Sequence, residues 1–482
     1  MPPRKSEDRR RREEMASPSR TIAAAADPSA AAASTPVSNK QKKRAHQAQQ
    51  DGGRIDQDGT VLAGFSWVPH GGMAMVPTRT VSSRRGQVDA SEEQVDNEGD
   101  GDGDDDDDAE LKEDPLLQMG RESVLQGVES DDDSELDDIT FRETDLVFVC
   151  GRSGEEPSLE LYVYDDPKSN IYLHHDAPLI SPPVSTAWLT DGSASMCAVS
   201  SLKPFVEIWN LDDMNSADPI LLLGGCVASE NNARKTIKAH MLKPESHRDA
   251  VCCVRWNTLM SHILATASAD ATVKFWDLHS GDCSVTSRES DRVQSIDWHP
   301  ADASILATGT FNGQLTIRDG RLDAASNAVA AWNAGTGGAV ECVKWHPASA
   351  GSGSGAVNTL LVSTSAGQLA AVDPRLGSNS APIWSLAMHG GDTCFDVSRH
   401  APLLAAGGKD NQVSVWELLG PAGSHGPPRL LGASDMGIGA AFSVAFHPNV
   451  PTVVGACGTA GIPLVYALDV IAKDVFLAAR AV

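Results

Sequence analysis

The chain has 482 residues, 41% of them hydrophobic, and a formal charge of −26 at neutral pH. That content supports a large core, yet no apolar run approaches the roughly 18 residues of a membrane span. The opening MPPRKSEDRRRREE is too polar for a secretory signal, so an intracellular protein is expected.

Residues 1–60 read as a disordered, low-complexity tail. Residues 1–54 hold 12 Lys/Arg against six Asp/Glu, split by an Ala/Ser/Pro stretch too poor in apolar surface to fold. Within it, Lys40, Lys42, Lys43 and Arg44 form a short basic cluster, a candidate nuclear localisation signal or nucleic-acid arm, with Arg9–Arg12 as a second candidate. Residues 61–78 change character: VLAGFSWVPHGGMAMVP predicts one or two short strands.

Residues 79–138 are expected to be a second disordered segment. Positions 87–138 carry 23 Asp/Glu and two Lys/Arg, most of the charge imbalance of the whole chain. Such a run solubilises, or imitates nucleic-acid charge toward basic proteins. Ser130 and Ser134 each have Asp three positions on (Asp133, Asp137), which suits an acidophilic kinase. Asp96, Glu98, Asp100, Gly101 and Asp107 only faintly echo a calcium loop, with no helices to flank it.

Ordered patterning is expected across 139–470, with a short tail at 471–482. Turn residues punctuate β-prone runs, and seven units can be counted, at 145–166, 184–211, 250–278, 292–320, 339–375, 394–418 and 442–468. Trp256 to Trp298 is 42 residues, and so is Trp276 to Arg318. Three short strands at a period in the low forties predict an all-β, seven-bladed propeller rather than a helical repeat. A strand within 61–68 is expected to close the ring by pairing into the last blade, because an open edge invites aggregation. The nine cysteines are scattered without C-x-x-C and read as reduced core thiols. His299, His346 and His447 stand before proline or at strand ends and read as structural.

The third unit, with His247, Asp270 and Trp276–Asp277, resembles a WD40 repeat. The resemblance implies a buried hydrogen-bond relay through His247, Ser268, Asp270 and Trp276. Other units depart from it: Asn312 and Arg318 in the fourth, Gly367 and Val372 in the fifth, Trp209–Asn210 in the second. Asp410, Trp416 and Glu417 stand in the sixth. The stretches LVFVCGRSGEEPSLELYVYDD, YLHHD and VEIWNLDDMNSADPILLLGG also resemble the periodic tryptophan protein family, first member, as does FSWVP followed by an acidic insert. That resemblance implies a nuclear and nucleolar scaffold for large ribosomal subunit assembly and rRNA processing, with pre-ribosomal proteins or pre-rRNA as partners. Its alternative is a histone- or chromatin-binding regulator of ribosomal transcription.

No H-E-x-x-H, G-x-x-x-x-G-K-[ST] or G-x-S-x-G occurs, so no enzyme, cofactor, metal or small-molecule substrate is expected. An adaptor for ubiquitin ligation is a third reading, since adaptor surfaces carry no simple motif. The insert 231–248, with Arg234, Lys235, Lys238, Lys243 and Arg248, is the candidate contact loop for RNA phosphates or an acidic partner.

Overall fold

The computed structural model describes residues 60–70, 72–73, 140–165, 170–190, 195–213, 216–226, 241–322, 328–333, 338–346, 359–377, 380–418 and 426–468. The basic cluster at Lys40, Lys42, Lys43 and Arg44, the serines Ser130 and Ser134, and the tail 471–482 lie outside them.

Seven antiparallel sheets follow one another along the chain. Blade one is β1 (Val61–Trp67), β2 (Asp145–Ser153), β3 (Ser158–Asp165) and β4 (Asn170–Pro178). Blade two is β5 (Pro183–Leu189), β6 (Met196–Ser201), β7 (Phe205–Asn210) and β8 (Leu221–Gly224). Blade three is β9 (Val251–Trp256), β10 (Ile263–Ser268), β11 (Thr272–Asp277) and β12 (Cys283–Arg288). Blade four is β13 (Val293–Trp298), β14 (Ile305–Thr310), β15 (Gln314–Asp319) and β16 (Ala328–Asn333). Blade five is β17 (Val340–Trp345), β18 (Leu360–Thr364), β19 (Gln368–Val372) and β20 (Trp384–Ala387). Blade six is β21 (Thr393–Val397), β22 (Leu403–Gly408), β23 (Gln412–Glu417) and β24 (Arg429–Asp435). Blade seven is β25 (Ala441–Phe446), β26 (Val453–Gly458) and β27 (Leu464–Ala467). No α-helix occurs among the described residues.

The core is seven seams rather than one centre. Because side chains alternate across a strand, each blade sends one set to the blade before it and the other to the blade after. In β10, Leu264 joins a cluster with Val206, Ile208 and Leu223 of blade two. Its neighbours Ala265 and Ala267 join Val293, Ile296 and Leu306 of blade four. Similar clusters fill every other seam. Burying a Leu, Val or Phe contributes about 1.5–3 kcal/mol each, so every blade depends on both neighbours.

The innermost strand of each blade touches the next around the ring, and β1 touches β25 and β26 to complete it. Six of these strands carry a bulge, at the fourth residue of β1 (Gly64) and at the second residue of the others: Val184, Cys252, Gln294, Glu341 and Phe442. Cys252 is thus the bulged residue, while its neighbour Cys253 packs in the seam to blade four. All nine cysteines are free thiols.

The expected closure is corrected in one respect. The 61–68 strand does not pair into the last blade: β1 pairs with β2, Trp67 opposite Phe148, as the innermost strand of blade one. It meets blade seven face to face. Phe65 stacks on Phe148 at 4.7 Å between ring centroids, and Trp67 lies edge-on to His447 at 4.8 Å. Trp67 Nε1 donates to the Ala445 carbonyl at 2.9 Å, and the Phe65 amide to Ser443 Oγ at 3.3 Å. The reason lies in the residues: FSWVP ends a strand as IDWHP, VKWHP and VAFHP do, and those are all innermost strands.

Candidate interaction face and the relays that stiffen it

In a four-stranded antiparallel blade the turn between strands two and three, and the connection into the next blade, emerge at one end. That end of the ring is the candidate interaction face. Its turns are held from below by polar side chains that sequence spacing only partly located.

Blade three shows the fullest relay. Trp276 Nε1 donates to Thr266 Oγ1 at 2.9 Å, and Thr266 Oγ1 lies 2.7 Å from His247 Nε2. On its other side His247 Nδ1 faces Thr272 Oγ1 at 3.0 Å and Asp270 Oδ2 at 3.3 Å. Asp270 also accepts from the Arg248 amide at 2.8 Å and from the Thr272 hydroxyl at 2.6 Å. Every partner is satisfied when the imidazole is neutral, carries its proton on Nδ1 and accepts at Nε2. Burial pushes His247 below its ordinary pKa. Burial pushes Asp270 up, but hydrogen bonds from His247, Thr272 and the Arg248 amide outweigh it and hold the carboxylate well below its usual range.

Ser268 is a correction. The strand hydroxyl of the relay is Thr266; Ser268 Oγ instead donates to the Ala250 carbonyl at 2.9 Å, tying the strand end to the approach of β9. Ser268 stands at the end of β10, past the rung on which Thr266 faces Lys274 beside Trp276.

Blade six carries the same function with the hydroxyl moved across the sheet. Trp416 Nε1 donates to Ser414 Oγ at 2.8 Å, Ser414 meets His389 Nε2 at 2.9 Å, and His389 Nδ1 lies 3.0 Å from both Asp410 oxygens. Ser414 is on the third strand, opposite Ala406, which stands where blade three has Thr266. Blade two uses this third-strand place too: Trp209 Nε1 donates to Glu207 Oε2 at 3.2 Å. Glu207 is fully buried, and burial raises its pKa to about 7 despite the Trp209 bond.

Blade four replaces the relay with an ion pair. Glu289 takes the histidine's place and Arg318 the tryptophan's. Arg318 Nε meets Glu289 Oε1 at 2.6 Å, Thr308 Oγ1 donates to the same oxygen at 2.8 Å, and Arg318 Nη2 reaches the Arg288 carbonyl. Both charged side chains are about 95% or more covered. The departure visible in sequence is therefore a coordinated exchange. In blade five the turn acid's place falls on Ala366, and Gly367 holds the left-handed position (φ 76°) that Ala271, Gly313, Asn411 and Gly461 hold elsewhere. A Cβ on Gly367 would stand 1.9 Å from the His389 carbonyl, so glycine is required there.

At the opposite end, the residue after the innermost strand caps the turn. His299 Nδ1 accepts from the Ala301 and Asp302 amides, His447 Nδ1 from Asn449 and Val450, and Asn257 and Ser398 do likewise with their oxygens. The innermost strands also carry Arg255, Asp297, Lys344 and Asp396 at one equivalent place in four successive blades. Lys344 Nζ meets Asp396 at 3.0 Å. Asp297 and Asp396 accept the Trp345 and Phe446 amides of the next blade, both at 2.9 Å.

The face itself exposes Leu202 (59%), Phe311 (44%), Phe442 (50%) and Ile462 (62%) on blades two, four and seven. The Arg292 guanidinium sits 4.2 Å over the Phe311 ring. Of the candidate contact loop, Arg234, Lys235 and Lys238 lie outside the described residues. Arg248 is exposed, and Lys243 is half-buried with its amide on the Gly225 carbonyl. Acidic side chains outnumber basic ones across the described blades. Among the described residues no three His, Cys, Asp or Glu gather as a metal site, and no helix is long and apolar enough to cross a membrane.

Repeated blades around a ring, stiffened by His–Asp–Trp relays, define a WD40 β-propeller. The WD domain, G-beta repeat model matches residues 237–277 and 377–417, which end in the third strands of blades three and six, the two blades with His–Asp–Trp relays. A periodic tryptophan protein 1 homolog of Drosophila melanogaster is 28% identical over 308 residues, covering 62% of each chain. Periodic tryptophan protein 1 of Saccharomyces cerevisiae is 26% identical, over 71% of this chain and 64% of its own. An uncharacterised WD repeat-containing protein of Schizosaccharomyces pombe is 28% identical, over 70% and 63%. The chain is thus similar to periodic tryptophan protein 1 relatives over about two thirds of its length. The matched region spans a little under two thirds of each relative's length.

Proposed function

We propose that the protein is a non-catalytic scaffold of the nucleus and nucleolus that assists large ribosomal subunit assembly and rRNA processing. It holds a basic assembly partner on the turn-bearing face of the ring. The observation that carries this reading is the face itself. Turns of blades three and six are fixed from below by buried relays, large apolar side chains are exposed on blades two, four and seven, and the described blades carry more acidic than basic side chains. A rigid face of that kind binds at low ordering cost, and the acidic excess of the described blades as a whole favours a basic protein over RNA. Family resemblance supports the choice of ribosomal precursors.

The test is sedimentation of the tagged full chain from nuclear extract. Co-migration with large-subunit precursors, and accumulation of large-subunit rRNA intermediates on depletion, are expected. Migration free of pre-ribosomes, with normal rRNA intermediates after depletion, removes the proposal. The acidic excess of the described blades also suits a second reading, a reader of basic histone tails. That reading requires retention on nucleosomes after RNase treatment, which the ribosomal one does not. Recovery of a ligase core on purification would instead favour the adaptor. Modification of Ser130 and Ser134 is part of the proposal, and intact-mass measurement of the cellular protein decides it.

A further inference from the structure

The seam between blades four and five is underfilled at the end of the ring opposite the turns. In the seam between blades three and four, Phe275 stands opposite Val285 and meets Trp298 edge-on at 5.6 Å between ring centroids. Blade four has Ile317 where blade three has Phe275, and Ala330 where it has Val285. Both replacements are smaller, and they share their seam with Trp345, the counterpart of Trp298. In the seam between blades five and six this place is smaller still, Ala371, but Trp384 stands opposite it and packs in that seam. The tryptophan of β16 gives Ile317 no such cover, because Trp332 stands opposite Leu315. What remains is an open cleft of about 790 Å3, floored by Ile305, Ile317, Ala330 and Trp345.

Charge at the mouth says what should accompany an apolar group. Arg375, in the turn after β19, lines the cleft. Its Nε and Nη2 donate to the two Asp373 oxygens at 2.9 and 2.7 Å. The Asp373 side chain is 14% exposed and that of Arg375 56%, so solvent meets the guanidinium. A fork held in this way offers its outer edge to a carboxylate at little further ordering cost. Asp302, the acid of the cleft wall, is already engaged. Its Oδ1 accepts from the Ser304 amide at 2.9 Å, and its Oδ2 lies 3.6 Å from Arg321 Nη2. Small ligands are held with about 70–90% of their surface covered. This cleft is open instead, and exposed Val329 and Leu376 carry apolar surface along its rim.

We propose that the cleft seats an aromatic side chain of a partner protein, carried on an extended segment with a carboxylate beside it. The ring takes the place that Phe275 fills in the seam between blades three and four, and the carboxylate meets Arg375. This surface lies on the opposite end of the ring from the turn-bearing face and is independent of it.

Fluorescence anisotropy on the full chain tests this with three fluorescein-labelled peptides. They are Gly-Ser-Glu-Phe-Glu-Gly-Ser, the same with Ala for Phe, and the same with Lys for both Glu. Ile317→Phe installs the missing ring from within, and Ala330→Val narrows the cleft from β16. Arg375→Gln keeps the Asp373 bond to its own amide, which caps this turn as Asp277 caps that of His279 in blade three. Thermal melting reports that each variant is folded. The Glu-Phe-Glu peptide should bind the full chain. Its affinity should fall about tenfold or more on Phe→Ala in the peptide, and on Ile317→Phe, Ala330→Val or Arg375→Gln in the protein. No binding at about 1 mM peptide overturns the proposal, as does equal binding of the Lys peptide. Unchanged affinity in the folded Ile317→Phe and Ala330→Val chains places the peptide elsewhere and overturns it too. Binding seen only after deletion of 87–138 makes this chain's own acidic run the occupant, and sodium phenylacetate binding as tightly as the peptide makes the cleft a small-molecule site. Either result removes the partner segment.

Discussion

Thr266 and Ser268 show how far a single residue's role depends on its rung. They share one face of β10, two residues apart, and both are hydroxyls. Only Thr266 stands beside Trp276 across the sheet. Thr266→Val keeps the shape and leaves both the Trp276 indole N–H and His247 Nε2 without a partner. A loss of about 2–3 kcal/mol is expected, against about 1 for Ser268→Ala, measured by urea unfolding. Glu207 gives a pH prediction. Its folded pKa is about 7 against an ordinary 4.5, so the folded chain holds an extra proton between those values. Stability therefore falls as pH rises through that window, and the penalty is complete above it. Glu207→Gln keeps an acceptor for Trp209 and removes the ionisation. It should raise the melting temperature at pH 8, by the equivalent of about 2–3 kcal/mol, and change little at pH 4. A variant whose gain is the same at both pH values would show that ionisation is not the cause.

Elements carry the next level of meaning, because blades solve one problem with different residues. The need is constant: the third strand must be tied to the turn end of its blade. Blade three uses Thr266, His247 and Trp276, blade six shifts the hydroxyl to Ser414, and blade four substitutes Glu289 and Arg318. Removing one partner of a buried pair strands the other charge. Arg318→Trp alone should cost about 3–5 kcal/mol, and adding Glu289→His should recover most of it, since Thr308 already stands where Thr266 does. A double-mutant cycle on thermal unfolding checks this. In sequence the fourth unit looked degraded because Arg318 was compared with a tryptophan without Glu289, 29 positions earlier. The strand β1 was misplaced for a related reason. The need to close an open edge points to a strand that pairs into the last blade, while the ending of β1, Trp-Val-Pro, already matches the innermost strands.

For the whole molecule, closure is an aromatic seam. Phe65, Trp67, Phe148 and Tyr162 pack in series against Val453 and Cys457. The space is tight: a Cβ on Gly455 would stand 2.0 Å from the Phe65 ring. Gly455→Ala should therefore wedge blades one and seven apart, at a cost of about 1–3 kcal/mol. Limited proteolysis should show earlier cutting at that seam than in blade three, and an unchanged cutting order would argue that the ring holds elsewhere.

The repeat period, the strand-turn-strand grammar and the innermost tryptophans were set by local chemistry. Alternating apolar residues and turn-forming side chains act over a few positions and can be read along the chain. Which hydroxyl serves a relay, that Glu289 answers Arg318, and that β1 opens blade one were decided only when strands distant in sequence came to share a seam. Burial makes an unpaired polar group costly there, so the fold selects partners that spacing alone leaves open.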